Sequence, residues 1–229
     1  MSDAAAIASA LAAVRTRIDD AARAAGRDPA TVKLLAVSKT HPPEAVRAAY
    51  DAGQRAFGEN YAQELAEKAE ALRDLADIEW HFIGHLQSNK AKLVAPIACT
   101  IHTIDAAHLA REVARRAERA SRTVDALVEV SVAGEAQKSG VPPQDLEEVL
   151  RAVEAEPRLR LRGLMTMPPF GDLAVAKQVF ESLVSIRNLH GGAARLPELS
   201  MGMSADLEVA IAAGATIVRV GTAIFGERE

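Results

Sequence analysis

An apolar run that ends in an amine stands out first: Lys33-Leu34-Leu35-Ala36-Val37-Ser38-Lys39-Thr40. In an extended strand alternate side chains share a face, so Lys39 follows Leu35 and Val37 while Ser38 follows Leu34 and Ala36. A strand apolar on both faces belongs inside a parallel sheet, and a lysine at its carboxyl end reaches the mouth of that sheet. Partial burial there favours the neutral amine, the form that attacks an aldehyde carbon and gives a Schiff base. On this strand alone, a lysine whose stem snorkels its ammonium into water is the plainer reading, and the other residues have to decide.

Two later segments offer the matching half of a ligand site. Leu199-Ser200-Met201-Gly202-Met203-Ser204 ends a strand and opens a helix, presenting hydroxyls and backbone N–H groups to an anion. Val220-Gly221-Thr222 ends another strand, where glycine permits close approach and Thr222 adds a hydroxyl. Taken singly, the glycines serve tight turns and Ser204 serves as a helix cap. An amine that traps an aldehyde, set beside an anion cradle, meets the two needs of pyridoxal 5'-phosphate. Arg219 shares a strand face with Ile217 and Gly221 and would lie deeper along the ring. A guanidinium only donates and stays charged, so it would hydrogen-bond an unprotonated pyridine nitrogen. Pairing of Arg219 with a carboxylate such as Glu227 is the competing reading.

What must position these residues is a succession of strands and helices. Strands are expected at 33–40, 55–59, 78–84, 99–104, 124–132, 159–167, 198–203 and 216–225. Helices are expected between them, near 42–52, 61–74, 88–98, 106–120, 142–156, 172–189 and 204–213, and an amphipathic helix over 1–25 precedes the first strand. Eight strands alternating with helices spell a parallel (β/α)8 barrel of TIM type, an α/β fold; a doubly wound open sheet is the alternative. In such barrels the active face is built from the carboxyl ends of the strands, and phosphate is frequently held after strands seven and eight. Closure makes strand eight the neighbour of strand one, which brings Lys39 beside Gly221 and Thr222. The first helix can cover strand eight, which has no following helix in this sequence. No Gly/Ser/Pro linker divides the chain, so residues 1–229 are read as a single pyridoxal phosphate-binding barrel domain.

Composition narrows the function classes. At 229 residues, 49% hydrophobic and 25% charged, the chain has the make-up of an ordinary globular protein. A formal net charge of -4 lacks the basic excess that draws duplex nucleic acid or anionic membranes. No apolar run reaches the roughly 18 residues a bilayer demands. Asp3, Arg15, Arg17, Asp19, Asp20 and Arg23 interrupt the first segment at helical spacing, which does not suit a signal peptide. The one cysteine, Cys99, reads as a small buried hydrophobe, and its solitude fits a reducing compartment, so a cytoplasmic location is expected. A glycine-rich nucleotide loop is absent, and His81 and His85 lie on a strand and its loop rather than on a zinc-protease helix. His81 alone reads as a rim histidine.

Several motifs act together: Val37-Ser38-Lys39-Thr40, Gly58-Glu59-Asn60-Tyr61, Trp80 through Lys90, Lys138-Ser139-Gly140, Gly163-Leu164-Met165, Leu199 to Ser204 and Val220 through Gly226. In combination, and over nearly the whole chain, they resemble the pyridoxal phosphate homeostasis protein family, whose fold is similar to the N-terminal barrel of alanine racemase. The resemblance implies that Lys39 carries the Schiff base, that Ser200, Ser204, Gly221 and Thr222 surround the phosphate, and that Arg219 faces the pyridine nitrogen. It also implies that Asn60, Met201 and His81 line the ring pocket. The function it implies is a carrier that binds, buffers and delivers the cofactor, with acceptor apoenzymes as transient partners and no established reaction of its own. His85 stands where many relatives are expected to carry a smaller or less polar residue, which touches none of these contacts.

The rival class is a racemase or other amino-acid enzyme using the same lysine. Racemisation needs acid and base groups on both faces of the substrate, and alanine racemases recruit a tyrosine from a second, mostly β domain and a partner subunit. Without that domain, Tyr50 and Tyr61 are the only tyrosines on offer. A scaffold that binds no cofactor is the third class, which an absorbance scan separates. Lys138, in a loop with Gly134, Gly140 and paired prolines, is expected to take part in handing the cofactor on. With no obvious exposed apolar stripe, a monomer is expected.

Overall fold

Apolar residues recurring every three or four positions make the first element: in the computed structural model, α1 (Ala4–Ala24) buries Ile7, Leu11, Val14, Ile18 and Ala22 along one stripe. The structure describes residues 4–132 and 139–226. Lys138 and Glu227 therefore lie outside the described residues.

The strands are β1 (Lys33–Val37), β2 (Ala56–Glu59), β3 (Glu79–Phe82), β4 (Thr100–Ile104), β5 (Val124–Glu129), β6 (Leu159–Met165), β7 (Glu198–Ser200) and β8 (Ile217–Val220). They pair in chain order, all parallel, and β8 returns to β1 to close the barrel, with Leu35 opposite Arg219 and Ala36 opposite Val220. The expected barrel is thus observed, and the open sheet is not. Around it run α2 (Pro43–Asp51), α3 (Ala62–Ala71), α4 (Ala91–Val94), α5 (Ala107–Arg119), α6 (Leu146–Glu154), α7 (Leu173–Leu189), α8 (Gly192–Arg195), α9 (Leu207–Ala213) and α10 (Thr222–Phe225).

Both strand faces are buried, as their sequences require. A small interior group of Leu35, Val37, Ala56, Ile83 and Ile217 fills part of the barrel, while the main core lies between sheet and helices and includes Ala36, Phe57, Trp80, Phe82, Leu199 and Val220. The helix α1 packs against α2, α9 and α10, covering the seam between β8 and β1.

The differences from expectation lie at element ends. The strand expected at 216–225 stops at Val220, because Ile224 and Phe225 donate their N–H groups back to the Gly221 carbonyl and wind α10. The strand at 198–203 stops at Ser200, before Gly202 turns into the left-handed region at φ +92°. The helix expected at 88–98 shrinks to a 3-10 turn, Ser88–Lys90, and the single turn of α4, since Pro96 has no N–H with which to continue the helical ladder beyond Ala95. The short α8 has no counterpart in the sequence reading. Among the described residues no helix is long and apolar enough to cross a membrane.

Candidate functional site

Lys39 leaves the barrel two residues after Val37, half-buried at the carboxyl end of β1. The peptide groups on either side of it are tethered. Ser38, fully buried, donates its hydroxyl to Glu59 Oε1 at 2.7 Å, and its carbonyl accepts from Lys68 Nζ at 2.7 Å. The same ammonium donates to Glu59 Oε1 at 2.7 Å and to Glu64 Oε2 at 3.2 Å. Beyond Lys39, the N–H of Thr40 donates to Glu64 Oε2 at 2.8 Å while Thr40 itself sits at φ +66°, a left-handed conformation that costs a β-branched residue energy. Burial pushes the Glu59 carboxyl up, against the pull of Lys68.

Opposite Leu35 on β8, Arg219 points inward and is 4% exposed. Its Nη1 donates to the Ser200 carbonyl at 2.7 Å and the Ser200 hydroxyl at 2.8 Å, and its Nη2 donates to the Thr166 carbonyl at 3.0 Å. Burial brings the guanidinium down to about 10, so it remains a cation at neutral pH. From Ser200 a file of polar groups continues across the barrel: Ser200 Oγ to His102 Nδ1 at 2.8 Å, then His102 Nε2 to His81 Nδ1 at 2.8 Å. The far side of His81 faces the Glu79 carboxylate, 3.9 Å from Nε2, and Glu79 is paired with Lys33 at 2.8 Å.

At the rim, Thr222 Oγ1 donates to Ser204 Oγ at 3.3 Å, joining the turns after β8 and β7. Gly221 is close to β1: a Cβ there would stand 3.1 Å from the Val37 carbonyl and fill the gap between the strand ends. Arg17 of α1 donates to the Ser204 carbonyl at 3.2 Å and pairs with Glu208, fixing the β7–α9 turn from outside.

The structure thus gathers Lys39, Ser204, Gly221 and Thr222 at one end of the barrel, on the joined edges of β1, β7 and β8. Ser200 and Arg219 bind each other one level deeper, so the Ser200 hydroxyl is engaged by Arg219 and His102 rather than by the rim. His81, 2% exposed, belongs to this interior through His102. Asn60, the residue after β2, lines a cleft of about 270 Å³ shared with Tyr61, Phe82, His85 and Lys90, and its buried Oδ1 has no hydrogen-bond partner. Met201 is fully buried in the layer between sheet and helices, so its side chain does not join the interior group. Arg219 is engaged by Ser200 and Thr166; Glu227, the competing partner in the sequence, lies outside the described residues.

Sequence reasoning missed His102, Glu129 and Lys68. A lone histidine within Thr100-Ile101-His102-Thr103-Ile104 and an acid ending Val124-Asp125-Ala126-Leu127-Val128-Glu129 were visible signals, since charge in a buried strand demands a partner. Glu129 is buried, accepts from Ser139 Oγ at 2.7 Å, is pushed up by burial and acts electrostatically on Arg219. Lys68 sits in a helix full of charges and carried no signal. Among the described residues no group of three or more His, Cys, Asp or Glu could hold a metal ion.

A lysine at the end of β1, a buried arginine on β8 and a hydroxyl-lined rim define a barrel of the alanine racemase N-terminal class, and the family model described as alanine racemase, N-terminal domain, matches residues 9–229. The pyridoxal phosphate homeostasis protein of Pseudomonas aeruginosa is 48% identical over 225 residues, covering 97% of this chain and 96% of its own. The structure of PipY from Synechococcus elongatus with PLP bound is 38% identical, has a TM-score of 0.84, and is matched over 96% of this chain and 100% of that one. Alanine racemase from Corynebacterium glutamicum, 21% identical with a TM-score of 0.68, is matched over 99% of this chain and 62% of its own, and shares the fold. The chain belongs to the pyridoxal phosphate homeostasis protein family.

Proposed function

We propose that this chain binds pyridoxal 5'-phosphate covalently through Lys39 and serves cofactor homeostasis in the cytoplasm, holding and delivering the cofactor as a carrier and not as an enzyme. The observation that carries the reading is the pairing of β1 with β8, which joins the strand end bearing the amine to the strand end bearing Gly221 and Thr222, with Arg219 below. The residues fit the group chemically. An amine meets an aldehyde, hydroxyls and a glycine gap meet a phosphate, and a donor-only guanidinium meets a ring nitrogen that keeps its lone pair. Bound there, the cofactor supplies an electrophilic carbonyl conjugated to a ring that Arg219 leaves a modest electron sink.

In this reading Ser204, Gly221 and Thr222 hold the phosphate, Ser200 sets the Arg219 guanidinium, and Asn60 and Met201 bound the pocket from β2 and from behind β7. The whole of residues 1–229 then acts as one binding domain, as a monomer that meets acceptor apoenzymes transiently. The homeostasis names of the relatives and the PLP-bound PipY structure support it. The placement of the tyrosines favours carrier over racemase. Tyr50 bonds Asp77 and stacks with Arg55 beside the amino ends of β2 and β3, away from the rim. Tyr61, 52% exposed, opens α3 at the outer cleft.

Borohydride reduction of the cofactor-loaded protein followed by intact-mass measurement tests attachment. Wild type gains one reduced cofactor and Lys39→Ala gains none; an adduct on the variant, or none on wild type, overturns the reading. Conversion of L-alanine to D-alanine at ordinary enzyme rates, about 1 to 10³ per second, would replace the carrier by an enzyme.

A further inference from the structure

The interior file from Arg219 to Glu79 has a direction, and the direction depends on one proton. Glu79 is held down to about 2 by His81 beside it and by Lys33, so it is a carboxylate at working pH, and its charge, 3.9 Å from Nε2, favours the His81 tautomer that turns an N–H toward it. With His81 neutral, its Nδ1 is then an acceptor, His102 donates through Nε2, and the Ser200 hydroxyl donates to His102 Nδ1 while accepting from Arg219. Every donor then points from Arg219 toward Glu79, and the buried Nε2 of His81, which has no hydrogen-bond partner, lies 3.9 Å from that carboxylate.

Protonation of His81 reverses the middle of the file. Both of its nitrogens now carry a hydrogen, so Nδ1 donates and His102 must accept at Nε2 and donate from Nδ1 to Ser200 Oγ. The serine oxygen then faces two donors, His102 and Arg219, and turns its own hydrogen out of the file. One proton taken up at His81 thus moves two hydrogens along the chain and leaves Ser200 Oγ, still an acceptor for Arg219 Nη1, shared between two donors.

We propose that His81 and His102 are positioning residues for Arg219: proton uptake at His81 reverses the hydrogen-bond polarity through His102 to Ser200 and so alters how the guanidinium is presented to the cofactor ring. The inference rests on the cofactor reading above for its last step alone. The charged and titratable groups around the file agree with it. His81 faces Glu79, Cys99 and Lys33; burial lowers it, the Cys99 thiol and Glu79 raise it, and the net direction is upward. His102 faces His81, Arg219 and Lys33 and is driven well down, first by burial, so it stays neutral and works as a relay. Asp206 and Glu129 act on Arg219 electrostatically and favour its charged form.

Two measurements test this on the whole chain. In the cofactor-free protein, nitrogen-15 shifts of the histidine rings are followed against pH; His102 is expected to exchange its Nε2–H tautomer for the Nδ1–H tautomer at the midpoint where His81 titrates. A His102 tautomer unchanged through that midpoint overturns the relay whether or not cofactor binds. With cofactor, the dissociation constant is expected to change about 5-fold or more across the same midpoint. Glu79→Gln, a change at a half-exposed residue, should move the His81 midpoint down and carry the affinity transition with it, which loss of packing would not do. An affinity that is flat with pH, or a transition that stays put in Glu79→Gln, overturns the coupling to Arg219. Failure of wild type to bind cofactor at all is a failure of the cofactor reading, and the nitrogen shifts still decide the relay.

Discussion

The ammonium of Lys68 holds the carbonyl of Ser38 at 2.7 Å, so a helix residue fixes the peptide that precedes the proposed attachment lysine. The same nitrogen is the only cationic partner of Glu59, whose second oxygen is buried without a hydrogen bond, among the described residues. Removing it in Lys68→Met leaves the buried Glu59 carboxylate with the Ser38 hydroxyl but no counter-charge, and a loss of about 3 to 5 kcal/mol is expected in denaturant unfolding. Adding Glu59→Gln should recover a part of it. Equal stability of the single and double variants would show that the pair is not coupled.

Two glycines separate steric from conformational cost. A Cβ on Gly84 would collide with the backbone carbonyl of Asn60, which cannot yield as a side chain can. Gly84→Ala is therefore expected to cost about 3 kcal/mol and to weaken the Asn60 end of β2. Gly26, at φ +68° with open space around it, should lose only about 1 kcal/mol on the same change.

Stability should peak near pH 6.5, the ordinary histidine value. The His81 value is raised on folding, so its contribution is present below 6.5 and is lost as pH rises through the folded value. His102 is lowered on folding, so its contribution is present above 6.5 and is lost as pH falls toward the folded value. Denaturant unfolding across pH, compared with His81→Asn, checks the sign. If the variant keeps the alkaline decline of wild type, His81 is not its source.

At the rim, Ser204→Ala with Thr222→Val removes two hydroxyls that meet at 3.3 Å. Each neutral hydrogen bond contributes about 1 kcal/mol, so cofactor affinity should fall roughly 10- to 30-fold while the reduced adduct on Lys39 still forms at saturation. A change under about 2-fold would place the phosphate elsewhere.

Much of this arrangement was legible in the sequence because charges inside apolar strands are rare. Lys39 after Leu35 and Val37, and Arg219 between Val218 and Val220, announced themselves, and the strand count gave the barrel. Strand ends were not legible. Residues such as Ile224 and Phe225 remain buried after the ladder stops, so apolar pattern continues where hydrogen bonding does not. Ser200 reads as a rim hydroxyl in sequence, and only pairing of β7 with β8 commits it to Arg219. Lys68 stayed hidden because Ala62–Ala71 carries charges at close spacing, and nothing local says which of them turns inward.

The seam between β1 and β8 also has a consequence in time. Residues that meet there are separated by nearly the whole polypeptide, Lys33 with Ile217 and Ala36 with Val220. Contacts so remote in sequence form slowly, and during synthesis the ring stays open until β8 has left the ribosome. A nascent chain stalled before that point would leave the edge of β1 bare, which makes the earliest strand the one most in need of chaperone cover.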